Sequence, residues 1–224
     1  MGITRGVGDY FVALMEGAMW GCNWQAVIRR LCEVRFPVQV RYVRWVRPAA
    51  EVLKVNFDGS IITHSQAGGR GVLRDSKGWV IFVYSEPYRN VTSLQAEARA
   101  LCMGLELCNL FRHGQVLVEG DSKILIDALQ GYGVVPVSLL AILRHLRQLS
   151  PAISSCQHIH REGNFVADSL ASLGSRSDKF CLFLSFTSLP RSVRGLCQVD
   201  RLGVGHFRFS KRSLGPICRS GAVA

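Results

Sequence analysis

Lys54-Val55-Asn56-Phe57-Asp58-Gly59-Ser60 is the stretch from which the fold of this chain is read. Val52, Lys54 and Asn56 alternate with Leu53, Val55 and Phe57, the two-residue period of a strand with unlike faces. Asp58 ends the run. Three more acids have neighbours that suit a core better than a solvated surface. Glu97 lies among Leu94, Ala98, Leu101 and Leu105; Asp121 follows Val116-Leu-Val-Glu-Gly120; Asp168 falls inside Asn164-Phe-Val-Ala-Asp168-Ser-Leu-Ala. Carboxylates in such places are costly unless something binds them. The simplest shared partner for four of them is a hard divalent cation, Mg²⁺ or Mn²⁺, which points to metal-dependent phosphoryl chemistry.

Outward from that strand, Gly68-Gly69-Arg70-Gly71 leads into Val72-Leu73-Arg74, and Asp75 to Gly78 reads as a turn before a strand over 79–84. Residues 51–85 therefore predict an antiparallel meander. Thr92 or Ser93 caps a helix to about Phe111, stopped by His113-Gly114. Gln115 to Glu119 is a short apolar strand suited to the middle of a covered sheet. Helices follow over 121–130 and 138–149, then a strand over 153–160 and a helix from Asn164 to Leu173. The order βββαβααβα predicts an α/β domain with a five-stranded mixed sheet flanked by helices.

The totals bound the rest. The chain has 224 residues and a formal net charge of +11. Residues 51–174 hold 11 basic and 11 acidic residues, whereas residues 1–50 hold 7 against 3 and residues 175–224 hold 9 against 2. The excess charge thus sits in flanking segments able to hold nucleic acid without sequence preference. Eight cysteines with no C-x-x-C pair read as reduced thiols of an intracellular protein, nuclear or cytoplasmic. Tyr10 to Ile28 is interrupted by Glu16, Asn23 and Gln25, so it reads as an amphipathic or buried helix rather than a membrane span. Gly68-Gly-Arg-Gly71 lacks the Lys-Ser/Thr of a phosphate loop and fits a turn or close strand packing. Trp20, Trp24, Trp45 and Trp79 are too scattered to form a base-stacking platform, and Phe180, Phe183 and Phe186 recur at helical spacing.

Lys54-Val-Asn-Phe-Asp58-Gly-Ser, Gly69-Arg-Gly-Val-Leu-Arg-Asp75, Ala96-Glu97-Ala-Arg-Ala-Leu, Glu119-Gly-Asp121-Ser and His160-Arg-Glu-Gly-Asn164-Phe-Val-Ala-Asp168-Ser-Leu-Ala together resemble the type 1 ribonuclease H domain. They are most similar to its plant, retroelement-derived branch, often described as reverse-transcriptase-like. The resemblance covers about residues 45–175, between a basic segment 1–44 and a basic C-terminal tail 176–224. It implies a ribonuclease-H-like fold and Mg²⁺-dependent cleavage of the RNA strand of RNA–DNA hybrids by two metals. In that scheme Asp58 bridges the metals, Glu97 and Asp121 complete the sites, and Asp168 holds the metal on the water side. Asn56, Ser60 and Asn164 are placed to meet the hybrid's minor groove, although Asn164 also suits a helix cap. The hybrid is the implied partner, with no small-molecule cofactor.

Two departures stand out. The mobile-loop histidine of bacterial members has no clear counterpart, and His160, at the end of the fifth strand, is the candidate auxiliary. The basic handle that grips hybrid in some members is missing, because 128–138 holds no Lys or Arg. The missing handle and the charge-neutral domain favour an alternative, a catalytically idle domesticated module that binds nucleic acid or a partner protein. A 3′–5′ exonuclease fits less well, since no second acid lies two residues from Asp58.

Overall fold

A computed structural model of the chain describes residues 38–61, 63, 66–170 and 179–211. The strands are β1 (Val38–Val43), β2 (Leu53–Ile61), β3 (Gln66–Arg74), β4 (Val80–Arg89), β5 (Val116–Gly120), β6 (Ile153–His158), β7 (Cys181–Phe183) and β8 (His206–Lys211). The helices are α1 (Ser93–Leu110), α2 (Lys123–Leu129), α3 (Leu140–Leu149), α4 (Phe165–Ser169) and α5 (Arg191–Arg201).

The expected meander is present: β2 pairs antiparallel with β3, and β3 with β4. β2 then pairs parallel with β5, and β5 with β6. The sheet has six strands in the order β6-β5-β2-β3-β4-β7, not five, because Cys181–Phe183 adds along β4. Phe180, Phe183 and Phe186, despite their helical spacing, do not share one helix. Phe183 lies in β7 and Phe186 in a 3₁₀ turn, and both pack on the core of the second sheet face. β2 also continues three residues past Asp58, so that residue lies within the strand rather than at its end.

The alternation read along β2 sorts the molecule into layers. Val55 and Phe57 face a core shared with Leu73, Phe82, Tyr84, Val116 and Val118 and closed by Leu101, Leu105 and Cys108 of α1 and Leu143 and Leu146 of α3. On the other face, Val72 and Val83 meet Val166 and Leu170 near α4 and Val193 and Cys197 of α5. Burying one such side chain contributes roughly 1.5–3 kcal/mol. The helix opens on a capping box. The Thr92 side chain accepts from Gln95 N–H at 3.2 Å, and the Gln95 side chain accepts from Thr92 N–H at 2.9 Å.

The glycines of 68–71 lie within β3 rather than in a turn, the close-packing reading. A Cβ at Gly71 would come 2.4 Å from the Tyr84 hydroxyl. Residues 41–208 form one compact unit, so α5 and its flanks belong with the sheet. The other unit, residues 1–40 and 209–224, is described only at 38–40 and 209–211. The expected helix over 10–28 and the end of the helix over 164–173 lie outside the described residues. Among the described residues no helix is long and apolar enough to cross a membrane. The described cysteines, 102, 108, 156, 181 and 197, are free thiols.

Candidate metal centre

Three of the four expected acids converge. A carboxylate oxygen from each of Asp58, Glu97 and Asp121 lies within 4.8 Å of those of the other two. Parallel pairing of β2 with β5, with Asn56 opposite Glu119, carries Asp58 and Asp121 forward side by side. Glu97 is brought in by Gly59. A Cβ there would lie 2.1 Å from the backbone nitrogen of Glu97, so only glycine lets α1 approach this closely. The Gly59 backbone hydrogen-bonds to the Glu97 carboxylate in return.

The cluster is largely buried, and its carboxylates repel one another. Asp58 and Glu97 are buried, and Asp121 is half-buried. Burial, reinforced by the charges of Asp58 and Asp121, pushes Glu97 up to about 9. Burial also lifts Asp58 to about 6, against the opposing charge of Arg70. Asp121 is raised as well, mainly by burial, while its own backbone and Arg161 oppose the shift. Glu97 Oε2 and Asp121 Oδ1 are buried without a hydrogen-bond partner. Buried acceptors are rarely left unmet. Two unmet oxygens in a cluster of hard carboxylates fit a divalent cation.

Asp168 stands outside this trio. Its carboxylate accepts from the Arg161 guanidinium, although its charge still raises Asp58 and Asp121. Asn56 and Asn164, expected at a nucleic-acid surface, are 0% and 1% exposed and spend their amides inside the domain. Asn164 donates to the Phe57 carbonyl at 2.8 Å; it occupies the N-cap position of α4, but its side chain makes no capping hydrogen bond. Asn56 donates to Glu119 and Asn164, and it accepts from Trp45 Nε1 at 2.9 Å and from Arg74 at 2.7 Å. Ser60 is partly exposed and accepts from Arg70. β6 ends at His158, and His160 precedes a 3₁₀ turn with its ring edge-on to His158, 5.6 Å between centroids. His158 Nε2 lies 3.2 Å from the backbone carbonyl oxygen of Asp121.

Residues 56–174 match the reverse transcriptase-like family. The chain belongs to that family. Within it, the chain is 30% identical over 170 residues to the "Putative ribonuclease H protein" of Arabidopsis thaliana, covering 73% of this chain and 26% of the relative. The chain thus spans about a quarter of that protein's length. Among solved structures, LC11-RNase H1, isolated from compost by a metagenomic approach, superimposes with a TM-score of 0.52 at 26% identity, covering 56% of this chain and 97% of that one. The mixed sheet with helices on both faces is therefore a ribonuclease H fold.

Several residues of this ribonuclease H domain escape a reading of the sequence. Arg70 is 2% exposed, with Nε 2.9 Å from Asp58 Oδ2 in ion-pair rather than directed hydrogen-bond geometry. The signal was present in part. Asp58 and Arg70 fall directly opposite each other once β2 and β3 are registered. Lys54, Glu119, Arg74 and Asp200 form a second buried set, with Lys54 Nζ 2.6 Å from Glu119 and Arg74 2.7 Å from Asp200. Trp45 lies beneath it, the Arg74 guanidinium 3.6 Å from its ring centroid.

Proposed function

We propose that this ribonuclease H domain hydrolyses the RNA strand of RNA–DNA hybrids with divalent metal ions, Mg²⁺ or Mn²⁺, by a two-metal mechanism. The convergence of Asp58, Glu97 and Asp121 around buried, unpartnered oxygens carries the reading. The plant relative's name and the fold shared with an RNase H1 support it.

Bound cations would supply an activated water and stabilise the charge on the leaving oxygen. In this proposal Asp58 would be the shared ligand, and Glu97 and Asp121 would complete the shell. Asp168, held by Arg161 beside the trio, would be the ligand on the water side. The burial of Asp58 and Glu97 strengthens the charge interactions at the site. Ser60 stays a candidate contact for the hybrid's minor groove, whose 2′-hydroxyls distinguish RNA from DNA.

A second reading, an idle module that binds nucleic acid, has one specific support. Two of the four acids already have guanidinium partners, Arg70 on Asp58 and Arg161 on Asp168. Incubation of labelled hybrid with Mg²⁺ or Mn²⁺ separates the two. The nuclease cuts hybrid but not single-stranded RNA, and Asp121→Asn abolishes the cutting. Folded protein that binds hybrid yet leaves it whole with either metal refutes the nuclease.

A further inference from the structure

Arg70 is the feature of the metal centre that the proposed chemistry does not use. It projects from β3 directly across from Asp58 and is almost fully buried. Its Nε faces Asp58 Oδ2 at 2.9 Å, and its Nη2 donates to Ser60 Oγ. These contacts hold the guanidinium over one oxygen of the carboxylate that a cation at this centre would share with Glu97 and Asp121. A guanidinium is a fixed positive charge in proteins. Buried so deeply, its field is little screened by salt.

The geometry points to Arg70 as a built-in counter-ion of the metal centre: a positioning residue that fixes Asp58 and competes with divalent cations for its carboxylate, so that the domain binds them weakly until they are abundant. The inference rests on the metal-site reading above. It adds that cation affinity is set from within the sheet, by a residue that is no ligand. Two observations support competition over simple bracing. Asp58 Oδ2 has no other partner, so the guanidinium stands where a ligand-bound cation would share that oxygen. And the charge of Arg70 acts on Glu97 as well as on Asp58, so its field reaches two of the three carboxylates rather than one.

The test is calorimetric titration of Mn²⁺ into the metal-free full chain at pH 8, alongside thermal unfolding with and without Mn²⁺. Four proteins are compared: the parent, Arg70→Gln, Arg70→Lys and Asp121→Asn. Removing one positive charge a few ångströms from the cation tightens Mn²⁺ binding by on the order of tenfold in Arg70→Gln. Arg70→Lys keeps the charge and stays within about threefold of the parent. Arg70→Gln is also less stable in chelator, because Asp58 loses its partner, and it gains more from Mn²⁺ than the parent does. That enlarged gain remains readable even if the variant folds only with metal. Equal or weaker Mn²⁺ binding by Arg70→Gln, with parental binding lost in Asp121→Asn, overturns the counter-ion role and leaves the metal site standing. Absence of Mn²⁺ binding in the parent and in Arg70→Gln alike overturns both.

Discussion

One oxygen of Glu97 has no protein donor and two neighbouring carboxylates for company. Its pKa is raised from the ordinary 4.5 to about 9, so the folded, metal-free protein holds a proton there that the unfolded chain has released. Stability from this group is full below about pH 4.5 and is lost as pH rises through about 9. Asp58, raised to about 6, acts in the same direction lower in the range. Between pH 7 and 9, above the lowered histidines 113 and 160, Glu97 acts together with the raised His145 at the low end and the raised cysteines 102, 108, 156 and 197 at the high end. Melting temperature in chelator should fall across that interval for the parent and fall distinctly less for Glu97→Gln. Millimolar Mg²⁺ should flatten the parent's profile, since the cation replaces the proton. A parent profile as flat as the variant's would show that Glu97 titrates normally.

The joint between β2 and α1 depends on Gly59. Thr92 starts the helix and its apolar face sets its seat, but the missing Cβ at 59 sets how near Glu97 comes to Asp58. Gly59→Ala places a methyl against helix backbone, which cannot move as a side-chain end can. A loss of about 2–4 kcal/mol in urea unfolding is expected, as for overpacked cores and strained sites. The same variant should bind Mn²⁺ more weakly, because α1 and Glu97 shift together. A variant as stable as the parent would mean that α1 slides freely on the sheet. The element order was legible from period and apolar content. The edge strand β7 was not. Three residues carry too little pattern to separate a strand from a turn, and only β4's open edge selects it.

Across residues 41–208, α5 is tied to the sheet by the buried pair of Arg74 and Asp200. The pair extends through Asn56 to Glu119 and Lys54, so the C-terminal helix and the strand that holds Asp58 share one polar network. Breaking a buried pair from one side strands a charge. Asp200→Ala should therefore cost about 3–5 kcal/mol in chemical denaturation, the range for a buried pair broken from one side. A change below about 1 kcal/mol, the range of surface pairs, would show that water reaches Arg74. Hybrid binding, in turn, should weaken steeply with salt if the basic segments outside the charge-neutral 51–174 supply the grip. Electrophoretic shifts at two ionic strengths measure that slope, and a shallow one would place the grip in the neutral domain.

By itself the sequence determined the ribonuclease H strand and helix order, the placement of Asp58, Glu97 and Asp121 on three neighbouring elements, and the partition of charge between core and flanks. Those properties follow from period, local propensity and composition, which act over a few residues. The tertiary structure decided which polar residues serve the site and which serve the core. Asn56 and Asn164 look like surface amides in the sequence yet lie inside, and Arg70, one letter in a glycine run, ends against Asp58. The physical reason is that a buried polar group is defined by its partners. Those partners stand 12 residues away for Arg70 and 108 for the contact of Asn56 with Asn164, distances that only strand pairing and helix docking close.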